Sequence, residues 1–343
     1  MEPNARKKKI LSAVIESYIS TGEPVGSKTL IAQTGLDVSS ATVRNDMADL
    51  TNRGYLVQPH TSAGRIPTVL GYRYYIDNIM AVSQVSQQGR EFVESRLYEN
   101  ADSPESILNE AARLLSELTD CAAFATTPNG EDGRVRRISF VQTGLHTAMV
   151  VLMVSNGIIR TKLFRCEFVI TPEILGIFDK ALNELCAGIK LSSVNRPFIQ
   201  TAAARFGELS LFMPSVLMAV KDAAEKAGQV SVCRSGLTKL LLTSEVNAAA
   251  IRPLFEFLRS DHDLSRMLER LPIETTVTIA GENSRVELSS NSVVSARYSV
   301  DGNPSGVLAV VGPVRMDYAR VISILSCVAE CAGSVIGELI ESA

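Results

Sequence analysis

The chain has no CxxC pair, only three histidines, and no uninterrupted apolar run of membrane-spanning length. Each absence removes a class of function. The six cysteines, at 121, 166, 186, 233, 327 and 331, are scattered and lie far from His60, His146 and His262, so no spacing suits a zinc site. There is no Walker loop, GxSxG or HExxH. The chain is therefore expected to be no enzyme and to need no metal and no cofactor. The basic start, Met1 to Lys9, leads into an apolar stretch, Ile10 to Ile15, that Ser12 interrupts and Glu16 stops, which is too short for a signal peptide. The longest purely apolar run, Ala148 to Val154, is far below a membrane span, so a cytoplasmic location is expected. No internal repeat or low-complexity stretch is visible.

Charge of one sign is also scarce. The formal net charge is −3 and the pI about 5.8, too acidic for a protein wrapped uniformly in nucleic acid. Any DNA-binding surface must be local. Residues 1–77 carry nine Lys and Arg against seven Asp and Glu, a balance of +2, while the remainder carries 25 against 30. What is present is ordinary: 46% apolar and 21% charged residues over 343 positions, enough for two or three globular domains.

Residues 1–77 are dense in short elements. Arg6 to Ser20 has apolar positions at helical spacing and ends at Thr21-Gly22. Ser27 can cap a short helix, Lys28 to Gln33, closed by Gly35, and Ser39 can cap a third, Ser40 to Asn52, with Gly54 as its stop. Tyr55 to Gln58 and Arg65 to Thr68 read as two strands around the turn-rich Pro59 to Gly64. Helix, short helix, helix and hairpin is the order of a winged helix-turn-helix. Two further helical stretches follow, Tyr72 into Ser83–Gln88 and Ser103 to Leu118, as a connector over 78–120. Beyond Cys121 come strands at Ile138–Gln142, Thr147–Val154 and Ile158–Arg165, an antiparallel meander. Helices follow at Pro172–Ile189, Arg196–Glu208 and Pro214–Lys226, then a strand at Val230–Cys233. Helices at Ala248–Leu258 and Leu264–Leu271 precede strands at Thr275–Ala280, Val293–Val300 and Gly306–Val311. Arg320 to Leu339 is a final amphipathic helix, in which Cys327 and Cys331 lie one turn apart, as buried packing residues or as a redox pair. A sheet interrupted by a helical block and then resumed predicts an α+β multidomain chain with an insertion.

On a helical wheel, Val43, Met47 and Leu50 share one side of the third helix, and Asn45 leads the other, with Ala41 and Ala48 near it and Thr42 and Arg44 on the flanks. Such a face can enter a major groove: Asn pairs with adenine, Arg with guanine or phosphate, and Ala touches a thymine methyl. An ordinary solvated face has the same composition. Ser39 and Ser40 at the helix start suit phosphate contacts. His60, Thr61, Ser62 and Arg65 sit on the hairpin, whose tip can follow the backbone or place Arg65 in a minor groove. Lys7, Lys8 and Lys9 either touch phosphates or are solvated.

The strings Glu23-Pro-Val-Gly-Ser-Lys-Thr-Leu30, Val38-Ser-Ser-Ala-Thr-Val-Arg-Asn45, Gly54-Tyr-Leu56, Gln58-Pro-His-Thr-Ser-Ala-Gly-Arg-Ile-Pro-Thr68 and Gly71-Tyr-Arg-Tyr-Tyr75 resemble the bacterial heat-inducible repressor family HrcA, as does Gly306-Val-Leu-Ala-Val-Val-Gly-Pro-Val-Arg-Met-Asp-Tyr318 near the C-terminus. The chain departs from that pattern at Thr51-Asn52, where acidic residues are usual, and at Val69-Leu70, where Asp-Lys is usual. Neither falls on the DNA face, though the second bears on the hairpin exit. The resemblance implies a dimeric repressor of chaperone operons that binds double-stranded DNA at an inverted-repeat operator and is kept active by the chaperonin until heat diverts it. It implies a winged-helix domain over 1–77 and a GAF-like α/β sheet domain over 121–170 and 246–343. An inserted dimerisation domain would span 171–245. Phe198, Phe206, Leu209, Leu211, Phe212, Val216 and Leu217 make that insertion apolar enough for a partner, or for packing on its own domain. Gly306 to Tyr318 reads as a strand-to-helix corner in which Arg315 and Asp317 pair locally, or as a ligand site. A GAF-like receptor for a small molecule is the competing reading.

Overall fold

The computed structural model describes residues 3–34, 38–60, 63–128, 133–204, 213–241 and 248–342. Gly35, Thr61, Ser62, Phe206, Leu209, Leu211 and Phe212 of the expectations above lie outside them. The fold is mixed α/β in several parts.

The N-terminal part opens with α1 (Ala5–Thr21), α2 (Ser27–Thr34) and α3 (Ser40–Asn52). Asn4 caps α1 by accepting from the Lys7 N–H, and Gly22 ends it at φ +73. Ile10, Leu11, Val14 and Ile15 meet Leu30, Val43, Met47 and Leu50 in a closed core. The hairpin that follows is shorter than expected, with β1 (Leu56–Val57) paired to β2 (Ile66–Pro67). Its ends have other partners. Arg65 exchanges both backbone bonds with Val25 at 2.9 Å, and Thr68 caps α4 (Val69–Asn78) by accepting from the Gly71 N–H.

The single helix expected from Tyr72 to Gln88 is two. α4 stops at Asn78, and α5 (Gln87–Tyr98) starts afresh at the cap Ser86; the link between them is not helical, and its Ile79, Met80 and Val85 pack against the core. α6 (Pro104–Thr119), capped by Ser103, then leads into β3 (Ala122–Thr126).

β3 is the second strand of a five-stranded antiparallel sheet. With β7 (Val232–Ser235), β8 (Thr276–Ile279), β9 (Asn291–Val300) and β10 (Asn303–Pro313), the order is β7-β3-β10-β9-β8. Both faces are covered. Ala123, Ala125, Val294, Tyr298, Leu308 and Val310 pack on α6 and on α12 (Tyr318–Ser342). Ala122, Phe124, Val293, Val307, Ala309 and Val311 pack on α10 (Ala248–Arg259) and α11 (Asp261–Glu269). α12 is long and apolar enough to span a membrane on length and composition alone; here it lies against β9, α5 and α6 as a core helix. All six cysteines are free and buried, Cys327 and Cys331 among them.

The meander does not share this sheet, which corrects the boundary expected at 170/171. β4 (Val135–Gln142), β5 (Thr147–Val154) and β6 (Ile159–Arg165) form their own sheet, and α7 (Pro172–Cys186) and α9 (Met213–Gly228) cover one side of it. The physical reason is the strand pattern. β5 buries alternate residues only, Ala148, Val150, Leu152 and Val154, so the meander has one face for a core, whereas every residue of β3 is buried. Residues 135–228 thus share one core, completed by α8 (Arg196–Ala204). Val216 and Leu217 are buried in it rather than left for a partner. The chain leaves the large sheet at Thr126 and re-enters at Val232, and these two residues face each other in register.

The corner between β10 and α12 also departs from expectation. Asp317 caps α12, accepting from the Arg320 N–H through Oδ1 at 3.0 Å. Arg315 reaches instead to the C-terminal end of α1.

Two glycines give opposite expectations for one substitution. A Cβ at Gly333, on α12, would run into the Ser299 carbonyl of β9, whereas at the exposed Gly176 in α7 nothing lies within 4 Å. Gly333→Ala should lower the unfolding free energy by about 1–3 kcal/mol through overpacking. Gly176→Ala should raise it by about 0.5–1 kcal/mol through helix propensity. Urea unfolding of both variants checks the pair; shifts of the same sign would contradict the packing described.

Candidate nucleic-acid interface

α3 has two sides with different partners. Its inner side, Val43, Asp46, Met47 and Leu50, is buried. Two ion pairs add to the apolar contact with α1. Arg6 donates to both oxygens of Asp46 at 2.7 and 3.2 Å, and Lys7 to Asp49 at 2.6 Å. Arg53 closes the same carboxylate from the end of α3 at 2.8 Å. With the inner side fixed, Ser39, Ser40, Ala41, Arg44 and Asn45 face outward and are exposed. Among the described residues, neither Arg44 nor Asn45 has a side-chain hydrogen-bond partner. Ser39 caps α3 through the Thr42 N–H at 3.1 Å and shares a hydrogen bond with the Thr42 hydroxyl at 2.9 Å, which half-buries Thr42. The Ser39 oxygen is therefore already in use within the helix start.

The hairpin stands beside this face. His60 is exposed at its tip, where its carbonyl accepts from the Ala63 N–H, and Gln58 braces the return by donating to the Ala63 carbonyl at 3.0 Å. Thr61 and Ser62 lie outside the described residues. Arg65 is not at the tip. It sits at the hairpin's root, half-buried, and its Nε donates to Thr51 Oγ1 on α3 at 3.0 Å. A Cβ at the neighbouring Gly64 would meet the Val25 carbonyl, so only glycine lets the root cross the α1–α2 link this closely.

Arg44 and Arg65 line one concavity of about 480 Å³ with Gly26, Ser27 and Gln58. It joins two guanidinium groups to the start of α2, a combination suited to an anion. Sequence reasoning gave Gly26, Ser27 and Gln58 no role in a site. The available signal was Val-Gly-Ser ahead of a short helix. Val69 and Leu70, at the hairpin exit, are exposed at 39% and 51%; the exit is held by Thr68, whose hydroxyl donates to the Gly54 carbonyl at 2.6 Å.

The three N-terminal lysines part company. Lys7, expected to touch phosphates or to be solvated, is paired with Asp49, with 18% of its side chain exposed. Lys8 lies 5.6 Å from the centre of the Tyr74 ring. Lys9 is exposed. Among the described residues no cluster of three or more His, Cys, Asp or Glu is placed to hold a metal ion.

A family model described as the HrcA protein C-terminal domain matches residues 105–322. The "Heat-inducible transcription repressor HrcA" of Moorella thermoacetica is 33% identical over 342 residues, covering 99% of each chain. That of Laribacter hongkongensis is 34% identical over 337 residues, covering 97% of this chain and 96% of its own. A crystal structure described as that of a hypothetical protein superimposes with a TM-score of 0.72 at 23% identity, covering 98% of this chain and 100% of that one. The fold is thus shared along nearly the whole length.

The Lys7 contact has a pH signature. Lys7, then Arg53, hold the Asp49 carboxylate below its ordinary value of 3.8. A depressed folded-state value contributes stability that is complete above the unfolded value and lost as pH falls through the folded one. Lys7→Gln should therefore lower the urea midpoint at neutral pH, with the difference from wild type shrinking as pH falls below the ordinary Asp value of 3.8 and through the depressed folded one. Lys9→Gln should leave the profile unchanged. Equal midpoints for Lys7→Gln and wild type at neutral pH would remove the pair from the account.

Proposed function

The chain belongs to the HrcA family of heat-inducible transcription repressors, and on that premise we propose that it represses chaperone operons by binding an inverted-repeat operator as a homodimer. In this reading residues 1–77 are a winged helix-turn-helix, α3 is the recognition helix and the β1–β2 hairpin is the wing. The large sheet with α10, α11 and α12 is the GAF-like body, and residues 135–228 are the dimerisation unit inserted into it.

The observation that carries the reading is the outward side of α3, where Arg44 and Asn45 are exposed beside small residues, with no side-chain partner among the described residues, while the inner side is pinned to α1. Asn45 and Arg44 read base edges, Ser40 and Ala41 allow close approach, and the concavity shared by Arg44 and Arg65 takes a backbone phosphate between helix and wing. Arg65 thus serves at the wing root instead of entering a minor groove. His60, Thr61 and Ser62 run along the backbone at the tip, and Lys9 is the best placed of the three lysines for a phosphate.

Dimerisation is supported by the face of the meander that no described helix covers. Val141, Met149 and Leu163 form one cross-strand row, and Met153 with Ile159 part of another. Leu163 is 58% exposed and Ile159 49%. Apolar side chains this dense on an exposed sheet face suit a second copy of the chain. A two-fold pair then presents two recognition helices to two half-sites, which is why the operator is an inverted repeat. The chaperonin keeps the repressor competent, and heat withdraws it. No catalytic step belongs to this reading.

Titrations against operator and scrambled duplexes test the contacts. Asn45→Ala and Arg44→Ala should each weaken operator binding by about 1–3 kcal/mol while leaving scrambled DNA much less affected. Arg65→Ala should weaken both and lower the salt slope by about one. Equal losses on both duplexes for Asn45→Ala would end its base-reading role. Added chaperonin should raise operator occupancy in the same titration, and no change at any ratio would remove it as a partner. For the dimer, Leu163→Glu should weaken self-association at least tenfold (about 1.4 kcal/mol) in sedimentation equilibrium; an unchanged dimer would move the interface elsewhere.

A further inference from the structure

The β10–α12 corner, Gly312 to Tyr318, takes no part in the DNA face, yet its arginine touches the part that carries that face. Arg315 Nη1 donates to the carbonyl of Ile19 at 3.0 Å and lies 3.5 Å from that of Tyr18. Both carbonyls belong to the last turn of α1, where the dipole favours a cation; that of Tyr18 also accepts from the Gly22 N–H at 2.9 Å. The guanidinium also lies 5.9 Å from the Tyr18 ring centre. Gly22, the left-handed cap of α1, makes room for it: a Cβ there would sit 3.1 Å from Arg315 Nη1.

The corner that presents Arg315 is itself fixed. Tyr318 donates to the Val314 carbonyl at 2.7 Å, and its hydroxyl is within 2.8 Å of Ser292 Oγ on β9. The Tyr318 ring packs against Tyr72 of α4 at 5.8 Å. A second cation completes the attachment. Arg73 of α4 grips both oxygens of Glu282 and donates to the Val277 carbonyl at 2.7 Å, and Glu282 is held in turn by the Ile279 N–H. Two guanidinium contacts on two different helices fix an orientation, which one contact cannot do.

We propose that Arg315 is a positioning residue for two-site DNA binding: by clamping the C-terminal end of α1 to the body, it sets where α3 points. This rests on the DNA-binding reading above. α1 carries α3 through Arg6 and Lys7, at its far end. A helix of 17 residues is about 25 Å long. A tilt of about 10° at the clamped end therefore moves the far end by about 4 Å, more than the roughly 3.4 Å rise of one base pair along the duplex axis. One module on one half-site tolerates such a tilt. Two modules on a dimer, facing half-sites of fixed separation, do not.

The test uses the full chain and three variants, Arg315→Ala, Arg315→Lys and Arg73→Ala. The probes are a half-site duplex and a set of inverted repeats differing by single base pairs in the spacer, built on the sequence that the wild-type chain selects from random DNA. Wild type should show a sharp spacer optimum. Arg315→Ala should bind the half-site within about twofold of wild type, lose tenfold or more at the optimum and show a flattened spacer profile. Arg73→Ala should do the same to a smaller extent, and Arg315→Lys should restore part of the optimum. A readout without DNA accompanies this. Spin labels at Lys9→Cys and Arg252→Cys should give a broader distance distribution once Arg315→Ala is added. An unchanged distribution, or equal losses on half-site and inverted repeat, would overturn the proposal. A wild-type chain that selects no duplex would sink the DNA-binding reading instead, while the label distances would still report whether Arg315 holds α1.

Discussion

The pairing of β3 with β10 on one side and β7 on the other is the contact on which the remaining architecture depends. β3 is short and wholly buried, and it is the place where three parts of the chain meet. α6 delivers it from the N-terminal helices, the inserted unit leaves from its end, and β10 joins it to the C-terminal hairpin and α12. Its last residues are locked by side chains as well as by the ladder. Tyr298 donates to the Thr126 carbonyl at 2.8 Å, and Thr126 Oγ1 accepts from the Val307 N–H at 2.8 Å. A strand of alternating polarity could not occupy this position, because helices cover both faces of the sheet.

The proposed DNA-binding part follows a different economy. Its net charge is small, and several of its cations are used internally: Arg6 on Asp46, Lys7 and Arg53 on Asp49, and Arg73 on Glu282. Those pairs fix the helices relative to each other and to the body. What remains outward, Lys9, Lys28, Arg44 and the half-buried Arg65, is few in number. In the proposed reading, binding depends on base contacts and on two half-sites acting together, since a weak electrostatic term gives little affinity for arbitrary DNA.

Much of this was legible from residue order. The caps Ser39 and Ser103 fall where hydroxyl residues precede apolar periodicity, and α3 begins and ends where Ser39 and Gly54 predict. The strands of the meander lie within a few residues of their apolar runs. Three things were not legible. Lys7 looks solvated in sequence because its partner, Asp49, is 42 residues away on another helix. Arg65 looks like a tip residue until Val25 pairs with it and pulls it to the root. The meander looks like part of the later sheet because periodicity reports which side of a strand is apolar and not which helix covers it. The helix drawn from Tyr72 into Ser83–Gln88 breaks after Asn78 although Ile79, Val82 and Val85 keep helical spacing, so periodicity did not reveal the break; Ser86, the cap of α5, was the local signal.

The two ends of the inserted unit are bonded to each other, with Thr127 donating its N–H to the Ser231 carbonyl at 3.0 Å and Ser231 returning a bond to Thr127 Oγ1 at 2.9 Å. They lie 104 residues apart in sequence. Closing so long a loop in an unfolded chain costs on the order of 4 kcal/mol beyond a constant, before any strand contact offsets it. An inserted unit that has already collapsed on its own core holds those ends near one another, and the same pairing then closes only a short span. The order of assembly during synthesis is thereby biased: the interior of the chain settles first, and the sheet that encloses its ends is completed only when β8, β9 and β10, the last strands made, arrive.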